Sequence, residues 1–248
     1  MKRIFTLANR NLKEILREPT SLIFLILLPL VMEILFYFLF HSLTSQFEMK
    51  YLAPGMIGFA HAFLSLFVAL LVAADRESAF IQRIYTTPVR PYEFILGYLA
   101  AITPFGLIQS LILMGVGCIF EPTLLSLSLL WLIPAALLSI IMFAAIGILF
   151  GSVFSLRAVG GISSILISGQ SILSGMWFPV EGLSDGFLTV MELLPFKSIC
   201  MIFQNAVTPT LIENAFSDLW QPVIVIGVST VVCSVLSCVF FVKNSRST

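Results

Sequence analysis

Six apolar stretches dominate this sequence, and each is long enough to cross a lipid bilayer. They run Leu22–Phe40, Ala53–Ala74, Phe94–Phe120, Leu124–Phe154, Ala158–Phe178 and Pro222–Val242. About 20 mostly apolar residues are needed to span the hydrocarbon core. Across all six, Glu33 and His61 are the only Asp, Glu, Lys, Arg or His residues. The chain is 59% hydrophobic and 10% charged, whereas soluble domains carry about 25% charged residues. The surplus apolar surface needs lipid as its solvent. Membrane β-strands would alternate over stretches of about ten residues, and no such pattern appears. The expected fold is an all-α integral membrane protein with six transmembrane helices in one domain, residues 1–248.

Lys and Arg set the orientation. With the N-terminus inside, Lys50 and Lys197 alone of the 13 Lys and Arg fall on outer segments. Both termini are therefore expected in the cytosol of a cell with this protein in its plasma or inner membrane. The zero net charge offers no basic field for nucleic acid.

Three segments outside the spans carry information. In residues 1–19, Ile4, Phe5, Leu7, Ala8, Leu12, Ile15 and Leu16 share one helical face, opposite Lys2, Arg3, Arg10, Lys13, Glu14 and Arg17. Asn11 is the exception on the apolar side. Such a helix lies in the membrane interface; the alternative is a solvated basic tail. Glu18-Pro19 ends it, because Pro disfavours helix at the preceding residue. The seven charges in this stretch do not suit a cleavable signal. Residues 75–93 form an inner loop in which Phe80, Ile81, Ile84 and Tyr85 sit at helical spacing among charges, stopped by Thr87-Pro88. That is a docking helix for a soluble partner, or another interfacial helix. The outer segment 179–221 holds short apolar runs broken by Pro179, Gly182, Gly186, Pro195 and Pro209. Short re-entrant helices between the fifth and sixth spans fit it, as does an ordinary folded loop.

Catalytic patterns are missing. There is no GxxxxGK[ST] phosphate loop, no HExxH, and no GxSxG, since Gly161-Ile162-Ser163-Ser164-Ile165 lacks the second glycine. Neither the two histidines nor Cys118, Cys200, Cys233 and Cys238 form a metal pattern. Cys118 and Cys200 both fall toward the outer side, so a disulfide between them stands beside two free thiols as a reading.

A polar layer is expected within the membrane. At 1.5 Å per residue, Glu33 and His61 each lie about 20 Å from their inner helix ends, Gln109 about 22 Å and Gln170 about 18 Å. An ionised carboxylate at that depth costs at least ~2.5 kcal/mol, so Glu33 should face protein or water, with His61 as the partner named. The layer either lines a path or pins helices together.

Several motifs then align with one family. Tyr51-Leu52-Ala53-Pro54-Gly55 opens the second span; Glu77 through Arg83 to Thr86-Thr87-Pro88-Val89, then Glu93 and Gly97, follows it; Ser174-Gly175-Met176-Trp177-Phe178-Pro179 and Leu194-Pro195 follow the fifth. In order and spacing over nearly the whole chain, they resemble the permease subunits of type-2 ATP-binding-cassette exporters, which handle drugs, antibiotics, lipids and polysaccharides. The resemblance implies a non-catalytic half-transporter that pairs with a second copy or a similar permease and with two cytosolic ATPase subunits. It places Arg76, Glu77, Phe80, Arg83, Ile84, Thr87 and Pro88 in the coupling segment, and Gly175, Phe178, Pro179 and Pro195 in an outer signature. No cofactor is expected on this chain; ATP and magnesium belong to the partner. The rival readings are a secondary transporter and a membrane-embedded enzyme. Visible repeats would favour the first and a catalytic motif the second.

Overall fold

The computed structural model describes residues 2–78, 91–178, 180, 182–207 and 219–245. Among these, nine α-helices and three short 3₁₀ turns follow one another without a strand: α1 Lys2–Arg17, α2 Pro19–Phe40, α3 Met49–Glu77, α4 Pro91–Phe120, α5 Leu132–Val153, α6 Leu156–Leu173, α7 Asp185–Leu193, α8 Pro195–Val207 and α9 Trp220–Ser245. Six of them are long and apolar enough to cross a membrane: α2, α3, α4, α5 with the turn before it, α6 and α9. We call the end of the bundle that carries α1 basal and the other apical.

Helix α3 is the axis. Its most apolar window is 72% buried, against 17% for α2 and 11% for α9, and it packs on α2, α4, α5, α6 and α8. The closest approach is to α5, where small residues let two backbones meet. A Cβ on Gly147 would stand 2.4 Å from the Ser65 carbonyl oxygen, and one on Gly151 would stand 2.5 Å from that of Ala69. Both glycines and both carbonyls recur one turn apart, so one stripe of α5 lies along one stripe of α3. Without a hydrophobic drive between helices in lipid, such close packing is a main source of association. Outward faces remain apolar, with Phe24 and Phe38 of α2 and Val228, Val231 and Val235 of α9 all exposed, as lipid requires.

Two spans differ from their expected limits. The apolar run from Leu124 is not helical at its start. It makes 3₁₀ turns at Pro122–Leu124 and Leu127–Trp131, and α5 begins only at Leu132. Ser126 is extended and bonds Ser128 through its hydroxyl, a local alternative to helix that serine side chains favour. The fifth span stops at Leu173 rather than Phe178, because Gly175 takes φ +72°, a conformation glycine adopts without the steric cost of a side chain. The helices of the other spans begin two to four residues before their apolar cores. As expected, Glu18 breaks the chain between α1 and α2, and Pro19 occupies the first turn of α2, where its missing N–H costs nothing.

Between α6 and α9, α7 and α8 meet at a 76° bend. Helix α8 buries Phe196, Ile199, Cys200 and Phe203 among α3, α5 and α9. Cys118 and Cys200 are buried free thiols, and Cys233 and Cys238 are half-buried free thiols; the disulfide reading is set aside.

Candidate functional site

The charges Asp75, Arg76 and Glu77 read as the start of a loop, but they form the last turn of α3. Each bonds a different element. Asp75 is 2% exposed and receives the Arg10 guanidinium from α1 as a fork, Nη2 to Oδ1 at 2.5 Å and Nη1 to Oδ2. The Tyr98 hydroxyl of α4 donates to the same Oδ2 at 2.8 Å. Arg10 also donates to Asn11 Oδ1 at 3.0 Å, which explains the one polar residue on the apolar face of α1. Burial works against the Arg10 charge, but the hydrogen bond and charge of Asp75 outweigh it and hold its pKa above the usual value. One residue on, Arg76 of α3 donates to the carbonyls of Ser152 and Phe154 at 2.5 Å each. These carbonyls lie at the C-terminal end of α5, where a helix leaves carbonyls to be met from outside. Glu77 accepts the Leu156 N–H at 2.7 Å. That N–H opens α6, where the Ser155 side chain provides no cap, and a carboxylate suits the positive helix start. One turn of α3 thus fastens α1, α4, α5 and α6 together.

The membrane polar residues do not form the single cluster their depths suggested. His61 is fully buried and bonds Ser139 of α5 and Ser110 of α4, each at 2.9 Å. The Ser110 hydroxyl donates to the Gly106 carbonyl, so it accepts from His61 Nε2–H. Nδ1 is then the acceptor for the Ser139 hydroxyl. His61 of α3 is satisfied at both ring nitrogens by α4 and α5, and Glu33 is not its partner. The Glu33 carboxylate is 0% exposed and neither oxygen has a hydrogen-bond partner among the described residues. The reason is register. Leu25 of α2 lies beside Gln109 and Phe38 beside Phe120, so Glu33 stands about 12 Å apical of Leu25 along the helix.

Gln109 has a specific task. Pro29 sits inside α2 and cannot donate to the carbonyl four residues back, which is that of Leu25. Gln109 Nε2 fills the gap, donating to the Leu25 carbonyl at 2.6 Å. Replacing Gln109 by Leu should therefore lower stability by about 1 kcal/mol, read as a fall in thermal midpoint. In a Pro29→Ala background the backbone donor returns and the same substitution should cost far less. An equal cost in both backgrounds would break this account. Gln170 of α6 is buried with neither side-chain end bonded among the described residues, and its Nε2 lies 3.2 Å from where a Cβ on Gly58 would be.

The model of the ABC-2 type transporter family matches residues 2–208. The chain belongs to the ABC-2 type transporter family. No curated protein matches it. The ABC-2 family comprises membrane-embedded permease subunits that are themselves non-catalytic and work with ATPase subunits and in dimers. This chain is accordingly a multi-pass membrane permease subunit of an ABC transporter.

In this ABC-2 chain the motif that begins at Ser174 directly follows the end of α6. Gly175 turns the backbone, and Met176 lies against Gly55, whose Cβ would be 2.9 Å from that of Met176. Gly55 of the Pro-Gly pair therefore makes room for the signature turn. Phe178 is partly exposed and Pro195 starts α8, buried; Pro179 lies outside the described residues. Phe80, Arg83, Ile84, Thr87 and Pro88 of the coupling segment also lie outside them. Arg76 and Glu77 are described, and their bonds run inward. Sequence reading missed Arg10, Asp75, Tyr98, Ser110 and Ser139. A basic residue on a helix otherwise committed to the bundle, and an Asp within helical reach of an apolar span, were the available signals.

Proposed function

We propose that this chain is the pathway-forming half of an ATP-driven exporter, and that its α3 junction passes the motion of separate ATPase subunits into the bundle. The observation that carries this reading is the position of Asp75, Arg76 and Glu77. They bind α1, the α5–α6 turn and Tyr98 of α4 immediately before residues 79–90. Phe80, Arg83, Ile84, Thr87 and Pro88 in that segment are the contact residues for the ATPase, with apolar anchors filling a cleft on it. A push there reaches α3 first, and through the junction it reaches the other helices together. The basal end faces the cytosol of a plasma or inner membrane, in keeping with the Lys and Arg distribution. ATP and magnesium bind the partner. The cargo is a drug, antibiotic, lipid or similar amphipathic molecule, and Glu33, His61, Gln109 and Gln170 are candidate residues of its route.

Pairing with a second copy or a similar permease is supported by α6. It has the lowest mean hydropathy of the six spans, 1.3, and Gly161, Ser164 and Ser168 form an outward stripe. Small and hydroxyl-bearing residues suit a helix neighbour better than lipid.

The test is direct. The purified chain alone should hydrolyse no ATP, while the complex with its ATPase hydrolyses ATP and exports. Clear hydrolysis by the isolated chain would overturn the proposal. Glu33, a buried carboxyl without a bonded partner among the described residues, is the feature that favours an ion-driven carrier, and export driven by a proton gradient without the ATPase would support that reading instead.

A further inference from the structure

We infer that the exposed side of α1 is a binding site for an anionic phospholipid, with the phosphate over Lys13 and Arg17 and an acyl chain lying between α1 and α4. Two clefts meet along α1 and share Thr6 and Asn9 as their common wall. The first, of about 490 Å³, is otherwise lined by Arg10, Lys13, Glu14 and Arg17. The second, of about 600 Å³, is otherwise lined by Ile4, Phe5, Ala8 and Leu12 of α1 with Ala100 and Ala101 of α4. A polar, cationic compartment thus opens directly beside an apolar one, which is the division of a phospholipid.

The charges fit a single anion. Arg10 is spent on Asp75 and Glu14, while Lys13 and Arg17 are exposed and leave the cleft net positive. Charged N–H donors recognise phosphate oxygens through short, strong hydrogen bonds. The apolar compartment argues for a lipid over a free phosphate or an acidic protein face. Phe5 is 79% exposed there, and Leu96, one turn from Ala100 on the same side of α4, is 41% exposed. An amphipathic helix with basic residues beside apolar ones seats at the headgroup boundary and prefers anionic lipid.

The experiment uses the purified full-length chain in zwitterionic micelles, titrated with fluorescent phosphatidylglycerol or phosphatidylcholine. Phosphatidylglycerol should bind roughly 25-fold more tightly, since two basic residues face the anion. Lys13→Gln with Arg17→Gln should weaken it roughly 25-fold, since each basic residue near anionic lipid contributes about five-fold, and should leave phosphatidylcholine binding unchanged. These exposed substitutions should not alter helicity or melting. Ala100→Trp, which fills the apolar cleft from an exposed position, should weaken both lipids. Equal binding of the two lipids, or no loss in the double variant, would overturn the inference. So would displacement by glycerol phosphate at equal concentration, which would mark a headgroup-only anion site. Loss of lipid binding when the ATPase is added would assign this face to that protein and equally overturn it.

Discussion

Replacing Asp75 by Ala should lower the stability of the chain by about 2 kcal/mol and, on the function proposed, abolish export while ATP hydrolysis by the partner continues. Removing one member of a buried ion pair costs about 3–5 kcal/mol, because the other charge is left without compensation. Here the Arg10 side chain is 31% exposed and recovers part of its hydration, which brings the figure down. The clean measurement is a double-mutant cycle with Arg10→Ala. Residues in one hydrogen-bonded network show coupling of about 0.5–3 kcal/mol, so the double variant should melt near the Asp75→Ala variant alone. Additive losses would show that α1 and α3 are not joined through this pair. Tyr98→Phe removes one hydrogen bond to the same carboxylate and should cost about 1 kcal/mol.

The second large effect is expected at the α3–α5 contact. Gly151→Leu should prevent a folded, monodisperse protein from being recovered at all. Even the alanine changes at Gly147 and Gly151 place a methyl group within 2.4–2.5 Å of a backbone oxygen on α3, and a backbone cannot move aside as a flexible side chain can. Overpacking of a fitted interior costs about 1–3 kcal/mol per site. Gly227→Ala is the control. It lies in α9 with nothing within 4 Å of its Cβ position, so the gain in helix propensity, about 1 kcal/mol, should appear undiminished. If Gly147→Ala and Gly151→Ala melt like Gly227→Ala, the two helices are not packed through their backbones.

Hydropathy carried the helices, their order and the break at Glu18-Pro19, because lipid demands long apolar segments and Pro has a fixed backbone preference. It did not carry helix rotation. Equal depth placed Glu33 and His61 in one layer, yet their partners depend on which way each helix turns and on how α2 slides along α4. His61 consequently meets Ser110 and Ser139 rather than Glu33. Asp75, Arg76 and Glu77 read as the start of the inner loop with its docking or interfacial helix, because charge next to an apolar run normally marks the end of a span. Their roles depend on open helix ends arriving from α5 and α6, distant in sequence. Other links were legible in principle. Pro29 announces an orphaned carbonyl at Leu25, and Gly147 with Gly151 spells a close helix crossing.

The bond from Gln109 to the Leu25 carbonyl has a consequence for how the protein is made. Helix α2 leaves the ribosome well before α4, and within α2 no backbone donor stands at the position of Pro29 to satisfy that carbonyl. An unsatisfied carbonyl in hydrocarbon is costly, so α2 alone is an unfinished span during synthesis. It is completed only when α4 is delivered beside it. The order of translation therefore leaves the first span waiting on the third, and the proline that creates the wait also fixes which neighbour α2 must find.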